Sequence, residues 1–238
     1  MLEGKHILAV VPARSGSKGI PHKNMRTLKG TSLIGWAGKT LSQLAFIDAR
    51  IISTDSPEYA SEGKRYGLEA FFLRPKHLSV DTTSAIETMQ HALQKAERHY
   101  AACFDIILIV EPTSPLRISE DIEHATRRLI ETGADSVVTV SPLPSKSHPQ
   151  KILALHEGRL RFFQSEGNQI TARQMLSGDL YWRNGICYAL TRTCLMEYGV
   201  IFTERTLPEV IMRPIVNIDE PIDLDWAEFL LDKYYGAF

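Results

Sequence analysis

Twelve residues, Ala13 through Asn24, follow directly on the apolar run Ile7 to Val11 and have the composition of a phosphate cradle. Ser15, Gly16, Ser17 and Gly19 are small enough to let backbone N–H groups approach phosphate oxygens, and Arg14, Lys18 and Lys23 set positive charge against several negative ones. Such a loop is unfavourable without an anion, because its cations repel one another and its small residues lose more backbone entropy than ordinary surface positions. The plain alternative is a basic surface hairpin. Two familiar phosphate signatures are absent: no G-x-x-x-x-G-K-[ST] string occurs, and Gly16-Ser17-Lys18-Gly19 does not fit G-x-G-x-x-G, with Pro21 soon after it.

The elements that must position this loop are legible in the alternation of short β-rich runs with helical stretches. Strands are predicted at Ile7 to Val11, Ala49 to Thr54, Leu68 to Leu73, Asp105 to Val110, Ser136 to Val140 and Ile186 to Leu190. Helices are predicted near Ser32 to Phe46, Pro57 to Tyr66, Thr83 to Tyr100 and Ser119 to Glu131, the last capped by Ser119 and ended by Gly133. The fold class is α/β and Rossmann-like, a mostly parallel sheet with helices on both faces. Val210 to Ile218 reads as a final strand, and Pro221 as the start of a helix turning Leu224, Phe229 and Leu230 inward.

Between 142 and 178 the pattern breaks into prolines, polar residues and aromatics, so the α/β domain comprises 1–141 and 179–238 around an inserted segment. Leu153, Leu155, Leu160, Phe162 and Phe163 suit a surface that packs on another chain. Ligands sit at the carboxyl ends of parallel strands. The cradle after the first strand, Ser53-Thr54-Asp55 after the second, Arg74-Pro75 after the third and Glu111 to Arg117 after the fourth should therefore face one crevice.

Composition excludes several classes. A formal charge of −1 and a pI near 6.7 argue against a nucleic-acid binder. No signal peptide or membrane-length apolar run occurs, so a soluble, cytoplasmic protein is expected. Cys103, Cys187 and Cys194 form no C-x-x-C pair and read as buried thiols, without a disulfide framework or zinc site. His6, His77, His91, His99 and His124 are scattered and read as surface or packing residues.

The order and spacing of the cradle, Ser53-Thr54-Asp55, Arg74 with Asp81-Thr82-Thr83-Ser84, Pro112 to Arg117 and Asn217-Ile218-Asp219 resemble the CMP-acylneuraminate synthetases across nearly the whole chain. The resemblance implies that CTP and a nine-carbon keto sugar acid are the substrates and that the enzyme is a homodimer. It makes Arg14, Lys23 and Arg173 catalytic, the first two on the triphosphate and the third on a carboxylate or phosphate. It assigns Ala13, Ser15, Gly16, Asn24, Arg74, Thr83 and Ala85 to the nucleotide, and Glu111, Lys151 and Asn184 to the sugar. An arginine can grip an oxyanion with two parallel hydrogen bonds, which lysine cannot do.

Asp219 is the metal candidate, since Mg²⁺ prefers one or two carboxylates together with phosphate oxygens and water. The family commonly has two aspartates two residues apart where this chain has Asn217 and Asp219. It also usually has glutamine where this chain has Glu111, and often a serine at Ala85. Asp223 and Asp225 should face solvent or a helix cap. His22, Glu111 and a metal-bound water remain the options for a general base. The alternative functions are a cytidylyltransferase for Kdo or a Kdo-like acid, and a catalytically silent nucleotide-binding protein.

Overall fold

The apolar run near the start forms a strand with side chains buried on both sides. In a computed structural model of the chain, which describes residues 1–17 and 19–235 apart from the side chains of Arg173 and Tyr235, Ile7 to Val11 are fully buried. Lys18 of the cradle lies outside the described residues. Within β1 (Ile7–Pro12), Ile7, Ala9 and Val11 enter one hydrophobic cluster and Leu8 and Val10 the other, as period-two alternation requires of a central strand.

The remaining strands are β2 (Thr27–Leu28) and β3 (Thr31–Ser32), which pair as a small hairpin, then β4 (Ala49–Ser53), β5 (Ile106–Ile109), β6 (Ser136–Pro142), β7 (Leu153–His156), β8 (Arg159–Phe162), β9 (Tyr181–Thr191) and β10 (Thr206–Val210). Six of them make the central sheet in the order β10-β6-β9-β5-β1-β4, parallel throughout except for β9. Because β1 has β4 on one side and β5 on the other, the strand order switches there and a crevice opens at the carboxyl ends.

Helices α1 (Leu33–Ser42), α2 (Pro57–Arg65) and α4 (Ser119–Thr132) cover one face through Ile34, Ala37, Leu41, Tyr59, Ile122, Ala125 and Leu129. Helix α3 (Ala85–Tyr100) covers the other through Met89, Ala92, Leu93 and Ala96. The Rossmann-like α/β expectation therefore holds. Among the described residues no helix is long and apolar enough to cross a membrane.

Five local expectations differ from the structure. Leu68 to Leu73 makes only a bridge from Glu69 to Ile51, because the neighbouring Phe71 and Phe72 both turn onto α3, stacking on His99 and meeting His91 edge-on. A strand would send successive side chains to opposite faces. Beyond Val210 the chain leaves the sheet: the Ile211 amide still reaches Val140 O, but Arg213 turns to Asp121 and Pro214 has no amide to donate. Helix α4 is capped from Ile118, whose amide donates to Asp121 at 3.0 Å, so Ser119 is its first residue rather than its cap. In the last helix, α5 (Pro221–Leu230), Ala227 and Leu230 are buried while Phe229 is exposed, stacked on Trp226. Cys187 and Cys194 are buried as expected, but Cys103 is exposed.

The inserted segment carries its own two-stranded sheet, β7 paired with β8. His148 Nε2 lies 3.2 Å from Ser177 O, and the Ser177 amide donates to Gln150 Oε1 at 3.1 Å, which draws the two ends of the segment together.

Two glycines set the α1–α2 contact. A Cβ on Gly38 would stand 2.5 Å from the Tyr66 carbonyl oxygen, and one on Gly35 would strike the Tyr66 ring. Gly38→Ala is expected to lower unfolding free energy by about 1–3 kcal/mol through overpacking, read by urea unfolding; an unchanged midpoint would show that Tyr66 is free to move.

Candidate active site

A cleft of about 470 Å³ lies at the carboxyl ends of β1 and β5 and the amino end of α3. Its lining includes Arg14, Lys23, Asn24, Arg74, Thr83, Ala85, Glu111 and Asp219, which the sequence analysis had singled out from segments far apart in the chain.

The cradle is held by anchors that the sequence analysis did not assign. Asp55, just beyond β4, accepts from the Ser15 amide and the Ser15 hydroxyl, both at 2.8 Å. Ser15 is thereby an anchor of the loop, and neither it nor the exposed Gly16 is part of the cleft lining, where Ser17 and Gly19 stand instead. Ala13 is fully buried and extends the sheet through its amide to Ser53 O. Asn24 is buried and donates to Arg14 O at 3.2 Å, so the loop closes on its own start.

The cations already have partners. Arg14 pairs with Asp81, and Lys23 Nζ lies 3.0 Å from Asp219 Oδ1. Arg74 is buried, donating to the Ser53 hydroxyl and carbonyl. Burial draws its pKa down to about 10, with Asp55 opposing and Arg14 adding to the shift, so it stays charged at neutral pH. Thr83 donates to His77 O, and Ala85 opens α3 behind the Ser84–Glu87 capping box.

The floor is built around Glu111, directly after β5. Arg117 turns back to donate to the carbonyl of Glu111 and, at 3.4 Å, to that of Ile186. Ser114 donates to Asn184 O at 2.6 Å. Opposite them β9 slips in register between Val138 and Val140, placing Asn184 and Gly185 in a bulge. Gly185 has φ +70°, and a Cβ there would stand 2.4 Å from Glu111 Oε2, 2.7 Å from Ser114 Oγ and 3.3 Å from Asn217 Nδ2. Burial pushes the Glu111 carboxyl above its usual range; Arg117 and Arg183 pull it down, Asp219 pushes it up and Lys23 pulls it down.

Asp219 reaches the cleft because the Ile218 amide bonds Thr113 O at 2.8 Å, pinning its segment to the loop after β5. Its carboxylate is largely exposed. Asp223 caps α5 by accepting from the Asp219 and Glu220 amides, as its place after Pro221 suggested.

Three other assigned residues stand outside this lining. Asn184 is fully buried, with its amide committed to Ser141 Oγ, Thr139 Oγ1 and the Ile186 amide, so its side chain supports the bulge rather than facing a ligand. Lys151 is exposed in a short turn of the inserted segment. The Arg173 backbone forms a similar turn, and its side chain lies outside the described residues. Neither Arg183 nor Asp55 carries an individual assignment from the sequence; a charge in a β-strand next to a bulge is the only signal the former gives.

A larger cavity, about 790 Å³, lies between α1, the end of α2 and residues Pro115 to Glu120. It contains none of the cradle, and three of its cations are occupied: Lys29 with Asp232, Arg65 with Glu62, and Lys39 with Thr31 and the Trp36 and Tyr66 rings. The smaller cleft is the one whose charges suit a polyphosphate.

Fold and cleft together define an α/β protein of the nucleotide-binding class. The chain belongs to the cytidylyltransferase family, whose model matches residues 8–175, and it is therefore a nucleotidyltransferase. It is 32% identical over 228 residues to the CMP-N,N'-diacetyllegionaminic acid synthase of Legionella pneumophila, with 93% of each chain covered. It is 26% identical over 225 residues to the pseudaminic acid cytidylyltransferase of Campylobacter jejuni, covering 94% of this chain and 95% of that one. Against the N-acylneuraminate cytidylyltransferase of Escherichia coli it is 27% identical, covering 95% of this chain and 52% of the other. A solved CMP:2-keto-3-deoxy-manno-octonic acid synthetase complexed with CTP superposes with a TM-score of 0.69 over 96% of this chain and 99% of its own, at 17% identity, which shows a shared fold.

Two outcomes follow from the floor. Gly185→Ala combines the left-handed strain of about 1–2 kcal/mol with displacement of Glu111, so it should both destabilise the fold and impair turnover; full activity would show that the bulge does not set the Glu111 position. Glu111→Gln should hold or raise the ligand-free melting temperature at neutral pH. A carboxyl whose folded pKa is raised favours the fold at acid pH and loses that contribution as pH rises through the folded pKa, so the gain should vanish in acid. A fall of several degrees at neutral pH would contradict this.

Proposed function

We propose that this cytidylyltransferase activates a nonulosonic, sialic-acid-like 2-keto-3-deoxy sugar acid with CTP, giving the CMP-sugar and pyrophosphate. The observation that carries the reading is the gathering of Arg14, Lys23, Asn24, Arg74, Glu111 and Asp219 in one cleft at the switch point of the sheet. Relatives named for legionaminic, pseudaminic and N-acylneuraminic acids, each matching 93–95% of this chain, support the sugar class.

In this reading the anomeric hydroxyl attacks the α-phosphorus of CTP in line, the bond to the bridging oxygen of the β-phosphate breaks, and the hydroxyl proton passes to a base in the cleft. The chain positions the reactants and neutralises charge. Arg14 and Lys23 exchange Asp81 and Asp219 for phosphate oxygens. Those carboxylates are partly or largely exposed, so each pair is worth at most about 1 kcal/mol and yields readily to a triphosphate. Asn24, Arg74, Thr83 and Ala85 frame the nucleotide, with Ala13, Ser15 and Gly16 shaping the loop around it. Mg²⁺, held from Asp219, supplies further charge neutralisation when bound.

The reading also includes a homodimer and a cytoplasmic location. The β7–β8 hairpin leaves Leu153, Leu155, Leu160, Phe162 and Phe163 exposed, Leu155 by 74%, and a second copy of the chain is their proposed cover. Lys151 and Arg173, on the same segment, are proposed to reach the sugar acid from there.

The test is pyrophosphate release from CTP and Mg²⁺ with N-acetylneuraminate, the deaminated nonulosonate, legionaminate, pseudaminate and Kdo offered separately. Release with a nine-carbon acid supports the reading; release with Kdo alone transfers it to the eight-carbon class; a CTP-induced thermal shift with no release from any acid contradicts turnover and favours a silent binder. Lys23→Ala should lower kcat/KM about 100-fold, and a loss below about threefold would remove it from the triphosphate site. Replacing Leu155 and Phe163 together by Asp should convert a dimer to a monomer in light scattering, whereas an unchanged mass would place the interface elsewhere.

A further inference from the structure

We infer that the cavity of about 790 Å³ beside α1 is a second ligand site, for a small organic anion with an apolar body, and that its occupant acts on the nucleotide cleft through the loop from Glu111 to Arg117. The cavity shares no lining residue with the cleft. Its size falls within the roughly 300–1,000 Å³ of small-molecule sites, which are mostly apolar with a few polar groups that fix orientation. Here the apolar lining comes from Trp36, Pro115, Leu116, Ile118 and Leu231, and the exposed side chains of Lys29, Lys39 and Arg65 supply charge.

That charge is not balanced locally. With Arg117, four cations border the cavity against one carboxylate, Glu120, although the whole chain carries a formal charge of −1. Lys29 and Arg65 draw their carboxylates, Asp232 and Glu62, from outside the lining. Lys39 and Arg117 have no ion pair among the described residues. The Lys39 ammonium has the Thr31 hydroxyl at 2.9 Å and the Trp36 and Tyr66 rings, 5.4 and 5.8 Å away at their centroids, and Arg65 lies 5.9 Å from the same Tyr66 ring. Arg117 is buried, donating to the carbonyls of Glu111 and Ile186, and its Nη1 has no partner. Native folds rarely leave such a group unsatisfied. A triphosphate would need more free cations than these. One anionic group beside Lys39, with its apolar body against Trp36 and Leu116, matches the lining.

One loop joins the two sites. Glu111, Pro112 and Thr113 border the cleft, while Pro115, Leu116 and Arg117 border the cavity. Arg117 bonds back to the Glu111 carbonyl, Ser114 between them donates to Asn184 O at 2.6 Å, and Arg213 donates to the Leu116 carbonyl at 3.2 Å. A packed segment braced along its length transmits a displacement instead of absorbing it, because protein interiors have low compressibility. A ligand seated against Leu116 and Arg117 therefore shifts the backbone under the cleft, and nucleotide in the cleft acts on the cavity by the same route.

The probe is 8-anilinonaphthalene-1-sulfonate, an apolar body with one sulfonate, titrated by its fluorescence into the unaltered protein, Lys39→Glu, Lys39→Arg and the Leu155→Asp/Phe163→Asp variant. Lys39 is exposed, and the melting temperature of each variant checks that it folds. Probe affinity should fall at least about tenfold in Lys39→Glu, the worth of a hydrogen bond to a charged group, and should be retained in Lys39→Arg and in the hairpin variant. Bound probe should change CTP affinity at least about fivefold in the unaltered protein, CTP should change probe affinity by the same factor, and both effects should vanish in Lys39→Glu. No probe binding, or binding that survives Lys39→Glu and is lost in the hairpin variant, would overturn the site. Complete displacement by CTP with no effect of Lys39→Glu would place the probe in the cleft and overturn it as well. CTP affinity unchanged by bound probe would overturn the link between the sites. Only that link rests on the nucleotide reading above; the titration without CTP reads the cavity by itself, so its failure is distinct from the failure of that reading.

Discussion

The pairing of Arg14 with Asp81 and of Lys23 with Asp219 is the interaction on which the rest of the cleft depends. A loop meant to meet a triphosphate gathers positive charge in little space, and before nucleotide binds that charge must be balanced locally. Both balancing carboxylates lie on segments far from the cradle in sequence, and the Asp219 segment is pinned beside it by the Ile218 amide on Thr113 O. Because the pairs are solvated they hold the geometry at small energetic gain and can be exchanged for phosphate oxygens.

The rest of the scaffold fixes backbone rather than charge. Asp55 anchors Ser15, Arg117 gathers the carbonyls of Glu111 and Ile186, and the Ile218 amide binds Thr113 O. Each bond joins the carboxyl end of one element to another, and together they convert a switch point in a sheet into a cleft with fixed walls. The bulge at Asn184 and Gly185 gives up one stretch of regular ladder between β6 and β9 to make room for a carboxylate beneath the site. Asn184, with its whole amide engaged, holds that irregularity in place.

Much of this was legible in the sequence. β1, β4, β5 and β6 announced themselves by short apolar runs, and the crevice followed from the residues just after them. Residues 68–73 misled because their β-forming aromatics are spent on α3 rather than on a sheet partner, a choice that only tertiary packing makes. Phe229 misled in the opposite way, since an aromatic at a helical position marks a buried face or an exposed patch with equal ease. Within the site, residues named for chemistry divided into those that face the cleft, such as Arg14, Lys23 and Glu111, and those that hold it, such as Ser15 and Asn184. Motif order cannot separate these roles, because both depend on the same backbone approach. The support from Asp55 and the neighbourhood of Arg183 depend on long-range pairing and leave no local pattern.

A crystal structure with CTP and Mg²⁺ bound tests the central claim most directly. The account predicts the triphosphate in the cleft at the ends of β1 and β5, with Arg14 moved from Asp81 and Lys23 from Asp219 onto phosphate oxygens. A triphosphate bound elsewhere, for instance in the cavity beside α1, with both ion pairs intact, would contradict it.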